Sequence, residues 1–493
     1  MALLIGSILS TAARSAPHAV AATLGEQAIT FADLDRAANR TAHALAGQGV
    51  ARGDIVAWWT GPGLRSLEAM VATARLGAVL APLNPALAPA EVAAAVEYLA
   101  PRLLVSDGDR AERARDTGAP LALDTALEGR SDEPPRVPVD ERDPHVVYLT
   151  SGSTGRPKGV VVSHRASWLR SWPGGATFTL ALRGGGGILT SFPLFHYGGW
   201  HYVFEAWHQR RPLHVVKRAD AAHLLDAIHR WAPAGVYCIP AVWGRILDTA
   251  GDAADGSDLS CVGAADTGTS ATPPELLNRL RRRMPQATTS VFYGSTEAGH
   301  HTTLADCDVD DHPGSVGRAA PGSDIRIGDD EEICVRAETV MNGYHGMPAP
   351  TAAVLRDGWY HTGDAGYLND DGYLYITGRL REVIRTGGET VGPAEVEAAV
   401  RTYPGVRDAA VVGLADERWG ELVCAVVVMA EGVATPAVDA LRAHLGHRLA
   451  PHKHPRRIVA AASLPRTPAT GQIQRSLLRE RLAVDPPPAG GWR

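Results

Sequence analysis

The chain has 493 residues, 45% of them hydrophobic, with 48 basic and 54 acidic residues mixed along its length and a net charge of −6. That length exceeds one ordinary domain and implies about two to four units with a sizeable core, while the mixed charge speaks against nucleic acid or an acidic membrane surface as partner. Five cysteines (Cys238, Cys261, Cys307, Cys334, Cys424) stand singly, without CxxC or metal-ligand spacing. They read as reduced, mostly buried thiols of a cytoplasmic protein.

The apolar start, Met1–Ser10, has no basic residue before it and reads as a first amphipathic helix rather than a signal peptide. No run reaches the ~18 apolar residues of a membrane span, so a soluble chain is expected. Phe31–Leu45 has helical apolar spacing, Asp54–Trp59 reads as a strand, Ser66–Leu76 as a helix and Ala78–Leu83 as a strand. This alternation predicts an α/β layered fold with largely parallel sheets. Asp132–Pro144, rich in Pro, Asp, Glu and Arg, is a surface connection.

It leads to Tyr148-Leu-Thr-Ser-Gly-Ser-Thr-Gly-Arg-Pro-Lys-Gly-Val-Val-Val162, which reads as strand, small polar loop and strand. Gly152, Gly155 and Gly159 permit tight folding, Ser151, Ser153 and Thr154 add hydroxyls, and Lys158 adds a charge. Such a nest suits phosphate oxygens, although a plain turn is an equally open reading. It is not a Walker A loop, because Pro157 and Gly159 break the required ending.

Ser151–Gly159 resembles the phosphate loop of the adenylate-forming superfamily of acyl-CoA synthetases, peptide-synthetase adenylation domains and luciferases. Tyr293-Gly-Ser-Thr-Glu297, Tyr360-His-Thr-Gly-Asp364, Gly378-Arg379 and Gly387-Gly-Glu389 follow in the family's order. The resemblance spans nearly the whole chain. It implies a large α/β N-terminal domain over residues 1–379, containing a small β subdomain between Gly314 and Gly346. A small mobile α+β C-terminal domain over 380–493 follows, with its hinge near Arg381. It also implies ATP, Mg²⁺ and coenzyme A as cofactors.

By the same resemblance, Ser151, Gly152, Ser153, Thr154, Gly155 and Lys158 hold phosphates. Tyr293, with Gly294 and Ser295, meets adenine, Thr296 touches the α-phosphate and Glu297 binds Mg²⁺. The Mg²⁺ role agrees with the preference of a hard dication for carboxylate oxygen. Asp364 is the expected ligand of the ribose hydroxyls, and Arg379 approaches the ribose or phosphates. These two motifs bracket a hairpin around Asn369–Gly372. Gly387 and Gly388 line a pantetheine channel in relatives.

Pro193-Leu-Phe-His196 is similar to the segment whose His lies beside the acyl substrate, which makes His196 and Trp200 candidate pocket walls beside the alternative of an aromatic core. Tyr237 and Trp243 stand where relatives also build the pocket, with helix packing equally open. Asp266, Thr267 and Gly268 occupy a turn that in relatives is of Gly-Gly-Ala type. Its polarity here points to a polar substrate group or to a capped turn.

One departure stands out. In Leu464-Pro-Arg-Thr-Pro-Ala-Thr-Gly-Gln-Ile473, relatives place after the Gly the lysine that bridges carboxylate and α-phosphate; here it is Gln472. Losing such a donor costs on the order of 10²–10³ in rate, and Lys453 is no obvious replacement. An engineered trap, a slow native adenylator, an unusual acid or lost catalysis would each explain it. The retained phosphate, Mg²⁺ and ribose positions argue against the last.

The activity implied is AMP-forming ligation of an aromatic or medium-sized acid to coenzyme A, with transfer to a carrier protein also open. The alternatives are activation of a non-carboxylate acid such as nitrite, giving diazo or N–N products, and a non-catalytic nucleotide-binding homologue.

Overall fold

The computed structural model describes residues 2–150, 158–172, 186–251, 257–380, 382–386, 389–416, 419–446, 448–467 and 471–484. Among them the first amphipathic segment forms the helix Ile5–Ser15, which buries Ile5, Ile8, Leu9 and Ala12 at helical spacing. The helices Phe31–Gly47 and Arg65–Leu76 follow as the sequence pattern predicts. Thr30 caps the former by accepting from Asp33 N, and Gly77 ends the latter in the left-handed region, the usual cap chemistry.

Two large sheets form among the described residues. A seven-stranded sheet runs Gly343–Tyr344, Lys158–Ser163, Pro144–Thr150, Val79–Pro82, Ile55–Trp59, Leu103–Ser106 and Leu121–Leu123. A nine-stranded sheet has Ala264–Gly268 between Val291–Ser295 and Gly235–Tyr237, followed by Ile188–Thr190 and Leu213–Val215. Its central pairs are parallel. The main core is shared by both sheets, joining Val56, Leu80 and Val146 of one to Ile188, Val236 and Ala264 of the other.

The expected short strands between 314 and 346 are present, but they divide between sheets. Ser323–Ile327 and Glu332–Ala337 join Trp359–Leu368 and Leu374–Arg379 in a small antiparallel sheet, whereas Gly343–Tyr344 pairs back onto Lys158–Ser163. The last five-stranded sheet is built wholly from residues after 383, with Gly420–Met429 central and Val406–Asp416 paired antiparallel along its edge. Its helices Pro393–Arg401 and Val438–Leu445 close a separate apolar core. The architecture is α/β, with a large N-terminal domain and a small C-terminal one. No helix among the described residues is long and apolar enough to cross a membrane.

Candidate active site

The hairpin from Trp359–Leu368 to Leu374–Arg379 sets Asp364 directly opposite Arg379. Its turn closes with Asn369 Oδ1 accepting from Tyr373 N at 2.8 Å and Gly372 at φ 78°, a conformation suited to glycine. Arg379 Nε lies 2.8 Å from Asp364 Oδ1, and Tyr293 Oη donates to Oδ2 at 2.6 Å. Burial raises the Asp364 pKa and the Arg379 charge opposes that rise. A carboxylate, a phenol and a guanidinium from three motifs thus converge on one spot, a donor and acceptor set suited to a nucleoside.

Tyr293 enters this cluster from the strand Val291–Ser295, whose pairing with Gly299–Leu304 is irregular between Tyr293 and Gly294. A Cβ on Gly294 would sit 2.3 Å from Gly299 O, so the tight return requires glycine there. Ser295 Oγ accepts from Ala298 N at 3.2 Å and lies 3.1 Å from His301 Nε2. The turn presents Glu297, whose Oε1 accepts from Tyr344 Oη at 3.0 Å. Lys158 Nζ stands 4.6 Å over the Tyr344 ring. Tyr98 Oη braces the same region, accepting from Gly159 N at 3.1 Å and donating to His345 O at 2.7 Å.

A residue the motifs did not mark holds this turn in place. Arg170, at the end of the helix His164–Arg170, is 5% exposed. It donates to Thr296 O and Glu297 O at 3.0 Å each and to Thr339 O at 2.8 Å, with its guanidinium 4.9 Å from the Tyr197 ring centre. Burial lowers its pKa. The helix buries positions 164, 166, 167 and 170, so helical spacing from His164 was the signal that could have found Arg170. Tyr344 carried no comparable signal, because its partners are distant in sequence.

His196 caps the helix Tyr197–His208: its Nδ1 accepts from Gly198 N at 3.1 Å, which puts the ring proton on Nε2. Its ring stacks on Phe192 at 4.8 Å, and Phe192 stacks on Tyr237 at 5.1 Å. Tyr237 Oη lies 3.0 Å from Thr269 Oγ1. Thr269 itself has φ 71°, a strained conformation of the kind that gathers at functional sites. A Cβ on Gly268 would lie 2.1 Å from Phe292 O. From the C-terminal domain, Gln472 Nε2 donates to Thr269 O at 2.9 Å. Lys453 is held elsewhere, 2.7 Å from Glu395.

The remaining sequence candidates divide. Trp200 lines, with Phe192 and Trp58, an apolar cavity of about 90 Å³. Trp243 is fully buried and donates to Asp266 O at 2.8 Å. Asp266 and Thr267 are fully enclosed. Ser151, Gly152, Ser153, Thr154, Gly155, Arg381, Gly387 and Gly388 lie outside the described residues.

Residues 9–345 match the AMP-binding enzyme family, and residues 395–470 match the AMP-binding enzyme C-terminal domain. The chain is an AMP-binding enzyme of the adenylate-forming superfamily. This AMP-binding enzyme is 33% identical over 500 residues to feruloyl-CoA synthase of Amycolatopsis sp, covering 97% of this chain and 99% of that one. It is 34% identical over 498 residues to indoleacetate–CoA ligase of Aromatoleum aromaticum, covering 95% and 96%. ATP-bound MatB from Rhodopseudomonas palustris superposes with a TM-score of 0.86 at 27% identity, covering 98% and 99%.

Acyl-CoA synthetases of the AMP-binding family use ATP, Mg²⁺ and coenzyme A. The side chains here fit the nucleotide and the cation: the Asp364 cluster offers both donors and acceptors, and Glu297 is a carboxylate beside the turn that Arg170 holds. Replacing Arg170 with Met strands three carbonyls, at about 1–3 kcal/mol for each buried orphan. The R170M chain is expected to unfold at lower temperature than wild type by differential scanning calorimetry, with weakened Mg·ATP binding. Replacing Asp364 with Ala takes from Tyr293 and Arg379 the carboxylate they share, and calorimetry should record a loss in ATP affinity of roughly tenfold or more, in line with one charge-assisted hydrogen bond of about 1.5–3 kcal/mol.

Proposed function

We propose that this AMP-forming acyl-CoA ligase activates an aromatic or medium-sized carboxylic acid. A carboxylate oxygen attacks the α-phosphorus of ATP, the bond to the β-phosphate oxygen breaks, and pyrophosphate leaves. The sulfur of coenzyme A then attacks the acyl carbon of the mixed anhydride, the thiol proton departs, and AMP is released. The observation that carries this reading is Gln472 Nε2 on Thr269 O, since it brings the C-terminal domain onto the turn beside the aromatic stack. The rings of Phe192, His196 and Tyr237 favour a flat acyl group over a long chain.

The protein's part is positioning and electrostatic stabilisation. Arg379 and Tyr293 fix Asp364 for the ribose hydroxyls. Arg170 fixes the turn carrying Thr296 and Glu297, and Lys158 stands beside Tyr344 on the phosphate side. Mg²⁺, for which Glu297 is the available carboxylate, neutralises phosphate charge when bound. Gln472 offers an amide donor where relatives have a lysine, so it orients an oxygen without supplying a positive charge.

Acid-dependent ATP–pyrophosphate exchange tests the reading across a panel of carboxylic acids and nitrite, followed by thioester detection with coenzyme A. Exchange with an aromatic acid and thioester formation are expected. Gln472→Lys is expected to raise the exchange rate on the order of 10²-fold, the value of one preorganised donor. Exchange with nitrite but no carboxylic acid would overturn the acid-ligase reading, as would ATP binding with no exchange for any acid.

A further inference from the structure

Next to the Tyr237–Thr269 contact stand two buried carboxyl groups, one on the helix Tyr197–His208 and one on the strand Ala264–Gly268, where Tyr202 of the helix meets Tyr237, the sheet partner of Asp266, at 5.0 Å. Glu205 is 3% exposed and Asp266 0%, and the charge of Asp266 is felt at Glu205. Asp266 Oδ1 accepts from Ser290 N at 3.1 Å, while its Oδ2 has no partner. Glu205 Oε2 stands 3.5 Å from His201 Nε2, and its Oε1 has no partner. Tyr197 Oη and Thr267 Oγ1 are also unpartnered.

Folding alone gives no reason for this arrangement. A buried polar group without a partner costs about 1–3 kcal/mol, and well-packed apolar residues are often as stable or more so at such positions. Burial raises both carboxyl pKa values, Glu205 to about 8, and holds His201 neutral at about 3. His201 therefore brings no counter-charge. Two electrostatically linked acids, each with an open acceptor, constitute a receptor for something that brings several N–H donors or a positive charge.

Their position relates them to the acyl group. Asp266 pairs directly with Tyr237 in the sheet, Tyr237 Oη contacts Thr269 Oγ1, and Thr269 O receives Gln472. Thr269 is three positions after Asp266, just past the end of the strand, a span of roughly 7–10 Å at ~3.3 Å per residue. One aromatic ring with a short linker covers that distance, and the rings of Phe192, Tyr237 and Tyr202 follow one another at 5.1 and 5.0 Å beside it.

Resting on the acid-ligase reading, we propose that the acid carries an amino group at the end remote from its carboxylate, and that Asp266 Oδ2 and Glu205 Oε1 receive it. An amine suits the pair better than a hydroxyl, because it offers two or three donors and, when protonated, cancels the charge that two buried acids cannot jointly carry.

The test compares 3-(4-aminophenyl)propanoate, its 4-hydroxy analogue and 3-phenylpropanoate in ATP–pyrophosphate exchange with the full chain. A site built for a donor rejects the analogue lacking it, so kcat/KM is expected to favour the amino acid over the unsubstituted one on the order of 10²-fold. Asp266→Asn and Glu205→Gln, which keep size and shape, are expected to bring that ratio towards unity, with calorimetric ATP affinity reporting that each variant is folded. Equal or greater kcat/KM for 3-phenylpropanoate in the wild-type chain overturns the proposal, whether or not the variants fold, and leaves the ligase reading standing. A ratio unchanged in both folded variants also overturns it. ATP binding without exchange for any carboxylic acid overturns the ligase reading and this proposal together.

Discussion

A single buried guanidinium carries much of the active site's geometry. Arg170 reaches three carbonyls, on Thr296, Glu297 and Thr339, and so fixes the turn after Val291–Ser295 against the segment leading to Gly343–Tyr344. Backbone carbonyls at a sharp turn have few donors of their own, and one planar fork of five N–H groups can serve several of them. The carboxylate of Glu297 then projects from a turn whose backbone is held from behind. Its partner Tyr344 arrives on the strand that Lys158–Ser163 pairs with. The side chains of Lys158 and Glu297 are therefore joined through one stretch of sheet.

The C-terminal domain uses a comparable device. Arg475, at the start of the last helix, donates to Glu397 and to Glu382. Glu397 also accepts from Val411 N, so the charge pair is tied to the strand Val406–Asp416. The loop before Arg475 carries Gln472, and this anchorage fixes where that loop leaves the domain. Glu395 takes up Lys453 while capping the helix Pro393–Arg401 through Gly392 N. The nearby cation is thus committed within its own domain.

Much of the fold was legible in the sequence because its signals are local. The helices Phe31–Gly47 and Arg65–Leu76 follow apolar spacing, and the Asn369–Gly372 turn dictates the pairing that sets Asp364 against Arg379. The Tyr293–Asp364–Arg379 cluster follows from such signals, since Asp364 and Arg379 meet across that hairpin and each of the three stands beside a glycine in the sequence. Helical spacing marks position 170 as buried, but what Arg170, Tyr98 and Glu205 do was not legible in this way. Each lies inside a helix, and its role depends on partners more than sixty residues away or on another element's packing, which no local pattern encodes. The division of the strands between 314 and 346 escaped for the same reason: strand propensity does not say which sheet a short strand joins.

His196 has a further consequence. Its Nδ1 is taken by Gly198 N, and burial pushes its pKa down to about 4. Throughout the neutral range it is an uncharged ring with one fixed proton, and it has no lone pair free to relieve a thiol of its hydrogen. Whatever base serves a neighbouring thiol, this imidazole is not it. What the ring offers its surroundings is one N–H and a flat face stacked on Phe192.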